Sequence, residues 1–153
     1  MSSYLFEEIV LKGVPAVEGT VYAWVYSGTY HFDVGLLLDR LSTMMLFVVT
    51  FVSFMVHIYT IGYMKEDPGY QRFFSYVSLF TFAMLTLVLA NNFLLLFFGW
   101  EGVGLVSYLL IGFWYERESA VFGSLKAFLV NRIGDIGFIL GTAAVLMHFG
   151  SVN

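Results

Sequence analysis

The sequence holds no cysteine, only two prolines and few charges: 12% of its 153 residues are Asp, Glu, Lys or Arg. The missing thiols exclude disulfides, thiolate metal sites, iron–sulfur clusters and cysteine nucleophiles. Basic residues are scarce and scattered, seven against eleven acidic for a net charge of −4, which argues against nucleic acid as a partner. There is no Gly-x-Ser-x-Gly, no His-Glu-x-x-His and no glycine-rich phosphate loop. Three scattered histidines, His31, His57 and His148, lack the spacing of a metal or haem site. Glu7 and Glu8 stand where a cleavable signal peptide carries positive charge, so no such leader is expected.

What fills the chain instead is apolar. Hydrophobic residues make up 59% and aromatic residues 20%, and the mean hydropathy is +0.83. An average soluble domain is roughly one-quarter charged. A single soluble domain of this length has too little interior for so much apolar surface. The composition is that of an integral membrane protein or a part of one.

A bilayer core of about 30 Å takes about 20 apolar residues as helix. Leu41 to Met64 is uncharged between Arg40 and Lys65, and Lys65-Glu66-Asp67-Pro68-Gly69 ends it. Phe73 to Tyr115 carries one charge, Glu101; it is too long for one span, and Asn91-Asn92 is its natural turn. Glu116-Arg117-Glu118-Ser119 is the next polar break. The expected fold class is therefore an all-α membrane protein with four transmembrane helices, at about 39–64, 73–90, 93–115 and 124–148. Residues 39–153 form the transmembrane bundle. Residues 1–38, with Gly13, Pro15, Gly19, Gly28 and a Val/Tyr/Trp/Thr-rich stretch from Thr20 to Phe32, read as an extramembrane loop or short β-hairpin. Lys65 and Arg72 in one loop and Arg117 in another put those loops in the cytoplasm and both termini outside.

Glu101 is the most informative residue. A charged carboxylate at the centre of a span costs about 2.5–3.5 kcal/mol, which each Leu or Phe offsets by only about 0.3–0.6. Its side chain is too short to reach the interface, leaving protonation or pairing with a cation on a neighbouring helix, and either makes it a proton-carrier candidate. Phe97, Gly104, Leu105 and Tyr108 share its stripe, and Tyr108 is placed to hydrogen-bond the carboxyl or a water beside it. Gly99, Gly102 and Gly104 permit close helix approach. Arg132 and Asp135, at i and i+3 near the middle of the last helix, can pair; a structural ion pair and a proton relay both stay open. Lys126 points away from that face, and snorkelling competes with a relay role. On the first helix Thr43, Thr50, Ser53, His57 and Thr60 share one face. Such hydroxyls commonly bond back to their own helix; His57 is the relay candidate among them, since a solvated imidazole exchanges protons near neutrality.

These motifs resemble a known family. Phe98-Gly99-Trp100-Glu101-Gly102-Val103-Gly104-Leu105-Val106-Ser107-Tyr108-Leu109-Leu110-Ile111-Gly112-Phe113-Trp114 is similar to the fifth helix of the subunit L family of bacterial NADH:quinone oxidoreductase, complex I. Lys126-Ala127-Phe128-Leu129-Val130-Asn131-Arg132-Ile133-Gly134-Asp135 looks like its sixth helix. His57-Ile58-Tyr59-Thr60-Ile61-Gly62-Tyr63-Met64, with Leu38-Asp39 before it, is similar to its third. The resemblance covers about Thr20 to Phe149, while residues 1–19 do not look like the usual start.

The resemblance implies a proton-translocating, antiporter-like segment in which Glu101 is essential and works with a lysine beyond Asn153. Arg132, Asp135, Lys126 and His57 match charged or histidine positions of the family. It further implies a bacterial inner-membrane subunit with no cofactor in this chain, NADH, FMN, iron–sulfur clusters and quinone being handled by other subunits. The implied partners are an M-like membrane neighbour, the remaining helices of the same subunit and the lipid bilayer. Family members are several times longer, so this chain reads as a segment. A cation/proton antiporter without redox coupling, and a bundle whose charges only register its helices, are the alternatives.

Overall fold

In the computed structural model, residues 1–27 and 30–150 are described; Gly28, in the expected N-terminal segment, lies outside them, as do the side chains of residues 24–32, His31 included. Four helices dominate: α2 (Arg40–Tyr63), α3 (Tyr70–Val88), α4 (Phe93–Ile111) and α5 (Glu118–Phe149). Each is long and apolar enough to cross a membrane. In α2, α4 and α5 the apolar residues are spread around the helix, whereas in α3 they favour one side. Leu41, Phe51, Phe54, Phe122 and Ile133 are among the many large apolar side chains left exposed.

Helix ends follow local chemistry. Asp39 caps α2: its Oδ1 accepts from the Ser42 N–H at 2.6 Å while the Ser42 hydroxyl accepts from the Asp39 N–H at 2.9 Å. This reciprocal pair satisfies two amide donors that the first helical turn leaves free. Asn92 caps α4 one way only, its Oδ1 accepting from the Leu95 N–H at 2.8 Å. The third helix starts at Tyr70 and stops at Val88, and the fourth stops at Ile111, short of the expected Tyr115. Gly112 tightens the last turn, and Phe113 leaves the helix to bury itself edge-on against Phe73, centroids 5.1 Å apart. The last helix begins at Glu118, earlier than the expected 124. Glu118 lies in its first turn, where the helix dipole favours a carboxylate, so half of the polar break is helical. Gly150, at φ +69°, closes that helix in the left-handed conformation glycine adopts most readily.

Before α2 come a short α1 (Ser2–Leu5), a π-helical turn (Phe6–Leu11) and an antiparallel hairpin of β1 (Val17–Ser27) and β2 (Tyr30–Leu38). The pairing slips between Thr20 and Tyr22 and again between Ala23 and Val25. An extra residue at each slip breaks the two-residue period of the strand, which is why alternation is poor in the sequence. The α1 and π-helical segment rests on α2, with Phe6 and Phe47 rings 5.0 Å apart.

The hairpin is tied to the α3–α4 turn. Leu37 N–H donates to the Leu89 carbonyl at 3.0 Å, and Asn92 Nδ2 to the Asp33 carbonyl at 2.7 Å. The opposite end is tied too: Trp114 Nε1 donates to Asp67 Oδ2 at 3.1 Å, and Arg72 Nη2 to the Phe113 carbonyl at 3.3 Å. The two charged loops therefore meet at one end of the bundle, and the hairpin and the Asn91-Asn92 turn meet at the other.

Candidate functional site

Glu101 sits at the middle of α4 and Arg132 near the middle of α5, so the two helices place their charges at the same depth. Arg132 Nη1 donates to Glu101 Oε1 at 2.6 Å and to Oε2 at 2.5 Å. The same nitrogen lies 3.3 Å from Asp135 Oδ2, one turn further along α5. Asp135 is buried, and its other oxygen accepts from Trp100 Nε1 at 3.0 Å. One cation is thus shared by two carboxylates, and an indole N–H steadies the second. Burying charge without partners costs several kcal/mol per ion, so the pairing is what makes these residues tolerable inside an apolar bundle.

Aromatic rings bracket this cluster at both ends. Toward the hairpin, Phe138 stands 5.5 Å from Phe97 and 6.1 Å from Trp100. Toward the charged loops, the Arg132 guanidinium lies 4.8 Å from the Phe128 ring centre, and Phe128 packs on Tyr108 at 5.4 Å. Glycines let the helices close in. A Cβ on Gly99 would stand 2.6 Å from the Leu87 amide nitrogen, and one on Gly102 3.0 Å from the Ala83 Cβ. Gly104 faces the Asn131 side chain. A Cβ on Gly134, Gly137 or Gly141, by contrast, would meet nothing within 4 Å beyond its own helix backbone among the described residues.

The candidate residues divide into groups. Glu101, Arg132 and Asp135 come together. Tyr108 lines the same face but turns to Phe128 and makes no hydrogen bond to Glu101. Lys126 is exposed and makes no ion pair among the described residues. His57 belongs to a separate polar group between α2 and α3. Its Nδ1 is 2.7 Å from the Ser53 carbonyl oxygen and its Nε2 3.2 Å from Ser78 Oγ, while Ser53 Oγ lies 2.7 Å from Thr81 Oγ1. Thr50 bonds back to the Leu46 carbonyl at 2.8 Å, the local bonding expected of helical hydroxyls. Trp100 is the member of the charged cluster that sequence reasoning passed over. Its only signal was position, adjacent to the intramembrane glutamate with an indole N–H to donate.

Four apolar helices carrying a guanidinium shared between carboxylates at mid-span define a multi-pass membrane protein of the antiporter-like class. Residues 24–74 match the family described as NADH-ubiquinone oxidoreductase (complex I), chain 5 N-terminus, and residues 90–153 the family NADH:quinone oxidoreductase/Mrp antiporter, TM. NADH-quinone oxidoreductase subunit L of Neisseria meningitidis serogroup A is 63% identical over 151 residues, 98% of this chain and 22% of that protein. Chain 5 of NADH-ubiquinone oxidoreductase of Dictyostelium discoideum is 49% identical over 152 residues, 99% of this chain and 22% of that protein. The fold is also similar to a chain of the Mrp complex of a Dietzia species, with TM-score 0.78 and 22% identity over 99% of this chain and 16% of that one. The chain belongs to the subunit L/chain 5 family of NADH:quinone oxidoreductases. It spans about one-fifth of the length of the relatives it matches, and these matches take in residues 1–19 almost entirely, where no resemblance was expected.

Proposed function

We propose that this chain forms part of a proton-translocation path in the membrane arm of NADH:quinone oxidoreductase, with Glu101 as the proton carrier. The observation that carries the reading is the mid-depth sharing of Arg132 between Glu101 and Asp135. When Glu101 takes a proton its hold on Arg132 is lost, and the guanidinium passes to Asp135, which Trp100 keeps in position. When the proton leaves, Arg132 returns. Each elementary charge moved across 100 mV exchanges about 2.3 kcal/mol, which the redox reaction elsewhere must supply. NADH, FMN, iron–sulfur clusters and quinone belong to other subunits in this reading, since this chain offers no cysteine for a cluster and no glycine-rich phosphate loop.

The bilayer is the bacterial inner membrane, with the loops bearing Lys65, Arg72 and Arg117 in the cytoplasm and the hairpin end outside, following the bias of basic residues. Partners are an M-like membrane subunit and further helices of the same subunit, which cover the exposed face of α5. Lys126 and His57 serve as secondary relay positions. The test is Glu101→Gln in the full-length subunit within the assembled complex: quinone reduction without proton pumping is expected, and an unchanged proton-to-electron ratio overturns the proposal.

A second reading, a cation/proton antiporter subunit without redox coupling, draws on the similarity of fold to a chain of the Mrp complex. Sodium-dependent proton exchange insensitive to quinone-site inhibitors favours it.

A further inference from the structure

Asn131 precedes Arg132 on α5 and is half-buried, with its amide turned to α4: a Cβ on Gly104 would stand 3.3 Å from Asn131 Nδ2. Among the described residues it makes no hydrogen bond. The other described asparagines are bonded. Asn91 Nδ2 donates to Glu18 Oε1 at 3.3 Å, and Asn92 both donates to the Asp33 carbonyl and accepts from the Leu95 N–H. Near Asn131, the Ser107 hydroxyl donates to the Val103 carbonyl of its own helix at 2.7 Å. A carboxamide carries two N–H donors and a carbonyl acceptor, and leaving them unpaired in apolar surroundings is costly. An amide at this depth calls for a partner.

Glu101 is that partner by position and by chemistry. Gly104 stands one turn from Glu101 on the same stripe of α4, about 4.5 Å along the axis at 1.5 Å per residue. Having no side chain, it leaves the space between the carboxyl and the Asn131 amide open. The ionised Glu101 is held by Arg132, because a guanidinium offers donors only and a carboxylate only accepts. A neutral carboxyl both donates and accepts, and a carboxamide answers both at once. Few other groups compete for it. On α5 the charged groups facing Glu101 are Arg132 and Asp135. On the other side of α4, α3 carries one charge, Arg72, in its first turn, and its tyrosines, Tyr70 and Tyr76, lie in the same loop-end half. Tyr108 turns to Phe128, and His57 is bonded between α2 and α3.

We propose that Asn131 is the hydrogen-bond partner of Glu101 in its protonated form, so that two successive residues of α5 serve its two states: Arg132 the carboxylate, Asn131 the acid. This rests on the proton-carrier reading of Glu101. When a proton binds one Glu101 oxygen, the hydrogen bonds from Arg132 Nη1 are released and the guanidinium stays with Asp135. The carboxyl then swings toward Gly104, its O–H donating to Asn131 Oδ1 and its carbonyl accepting from Nδ2. Loss of the proton to an acceptor outside this pair frees the amide and returns the carboxylate to Arg132. Asn131 carries no proton itself; it gives the neutral acid a bonded place in an apolar bundle.

The test is infrared difference spectroscopy, acid minus neutral, on the assembled complex with the full-length subunit in lipid vesicles. The C=O stretch of protonated Glu101 is the band that disappears in Glu101→Gln. In Asn131→Leu this band is expected to move to higher frequency, because a carbonyl released from a hydrogen bond stiffens. Pumping is expected to slow about two- to tenfold, the effect of losing an ordinary hydrogen bond. Asn131→Gln returns a carboxamide and is expected to recover part of both. Gly104→Ala leaves Asn131 in the chain but crowds its amide with a methyl, so the band is expected to shift the same way; it serves as the test if Asn131→Leu fails to assemble. A Glu101 band that stays in place in these variants overturns Asn131 as the partner, even if pumping falls. Absence of any Glu101 band, or unchanged pumping in Glu101→Gln, rejects the carrier reading and this inference with it, so the two failures are told apart.

Discussion

Arg132 on α5 grips both oxygens of Glu101 on α4 with one nitrogen, at 2.6 and 2.5 Å, while the same nitrogen stays 3.3 Å from Asp135. A single cation between two anions leaves the cluster with one negative charge in excess when all three are ionised. Such an arrangement offers the guanidinium two carboxylate partners, and in the proposed mechanism the proton on Glu101 selects between them.

Replacing Arg132 tests this directly. Arg132→Gln leaves Glu101 and Asp135 facing each other without a cation, and proton pumping is expected to fall by about tenfold or more, a change of about 1.4 kcal/mol or more in the barrier. Arg132→Lys keeps the charge but not the fork, so partial pumping is expected. Proton-to-electron ratios in vesicles measure both, and equal loss in the two variants contradicts the shared-cation geometry.

Trp100→Phe keeps the ring against Phe138 and removes only the donor to Asp135. A hydrogen bond to a charged group is worth about 1.5–3 kcal/mol. The variant is expected to lower the thermal stability of the assembled subunit and to slow pumping, with Trp100→His restoring part of both because it returns an N–H.

Gly99→Ala and Gly104→Ala are expected to differ. The first drives a methyl into the Leu87 backbone, and overpacking of this kind costs about 1–3 kcal/mol. The second meets only the end of the Asn131 side chain, at 3.3 Å, which can turn aside. Yield of assembled subunit after detergent extraction separates them, and a well-tolerated Gly99→Ala contradicts the α3–α4 contact.

Asp67 supplies the pH dependence at the loop end. The Gly69 N–H, the Trp114 indole N–H and the nearby positive charge of Arg72 together hold its carboxyl below the ordinary aspartate range. A lowered folded value means that its contribution is complete above the unfolded value, about 3.9, and is lost as pH falls through the folded one. The part of the fluorescence lost in a Trp114→Phe variant is expected to change in that acid window, and Asp67→Asn is expected to remove the transition.

Much of the helical frame was legible in the residues. Uncharged runs of spanning length, broken by Lys65–Gly69, by Asn91-Asn92 and by Glu116–Ser119, locate four helices because a bilayer excludes charge and demands internal hydrogen bonding. Helix ends were less legible: Phe113 left α4 for a ring contact with Phe73, and Glu118 was drawn into α5. The hairpin was half visible, since its two slips erase the alternation by which strands are read.

The sequence by itself determined that this chain lives in a membrane, that Glu101 stands at mid-span without a cation on its own helix, and that Arg132 and Asp135 share a face of the last helix. Those are consequences of hydropathy and helical periodicity, which act along the chain. Only the tertiary structure decided that Arg132 reaches across to Glu101, that Trp100 holds Asp135, that His57 keeps apart with Ser53 and Ser78, and that Tyr108 meets Phe128 instead of the carboxylate. Those outcomes depend on which faces two helices present to each other, and glycine contacts at Gly99, Gly102 and Gly104 set that at distances no one-dimensional pattern encodes.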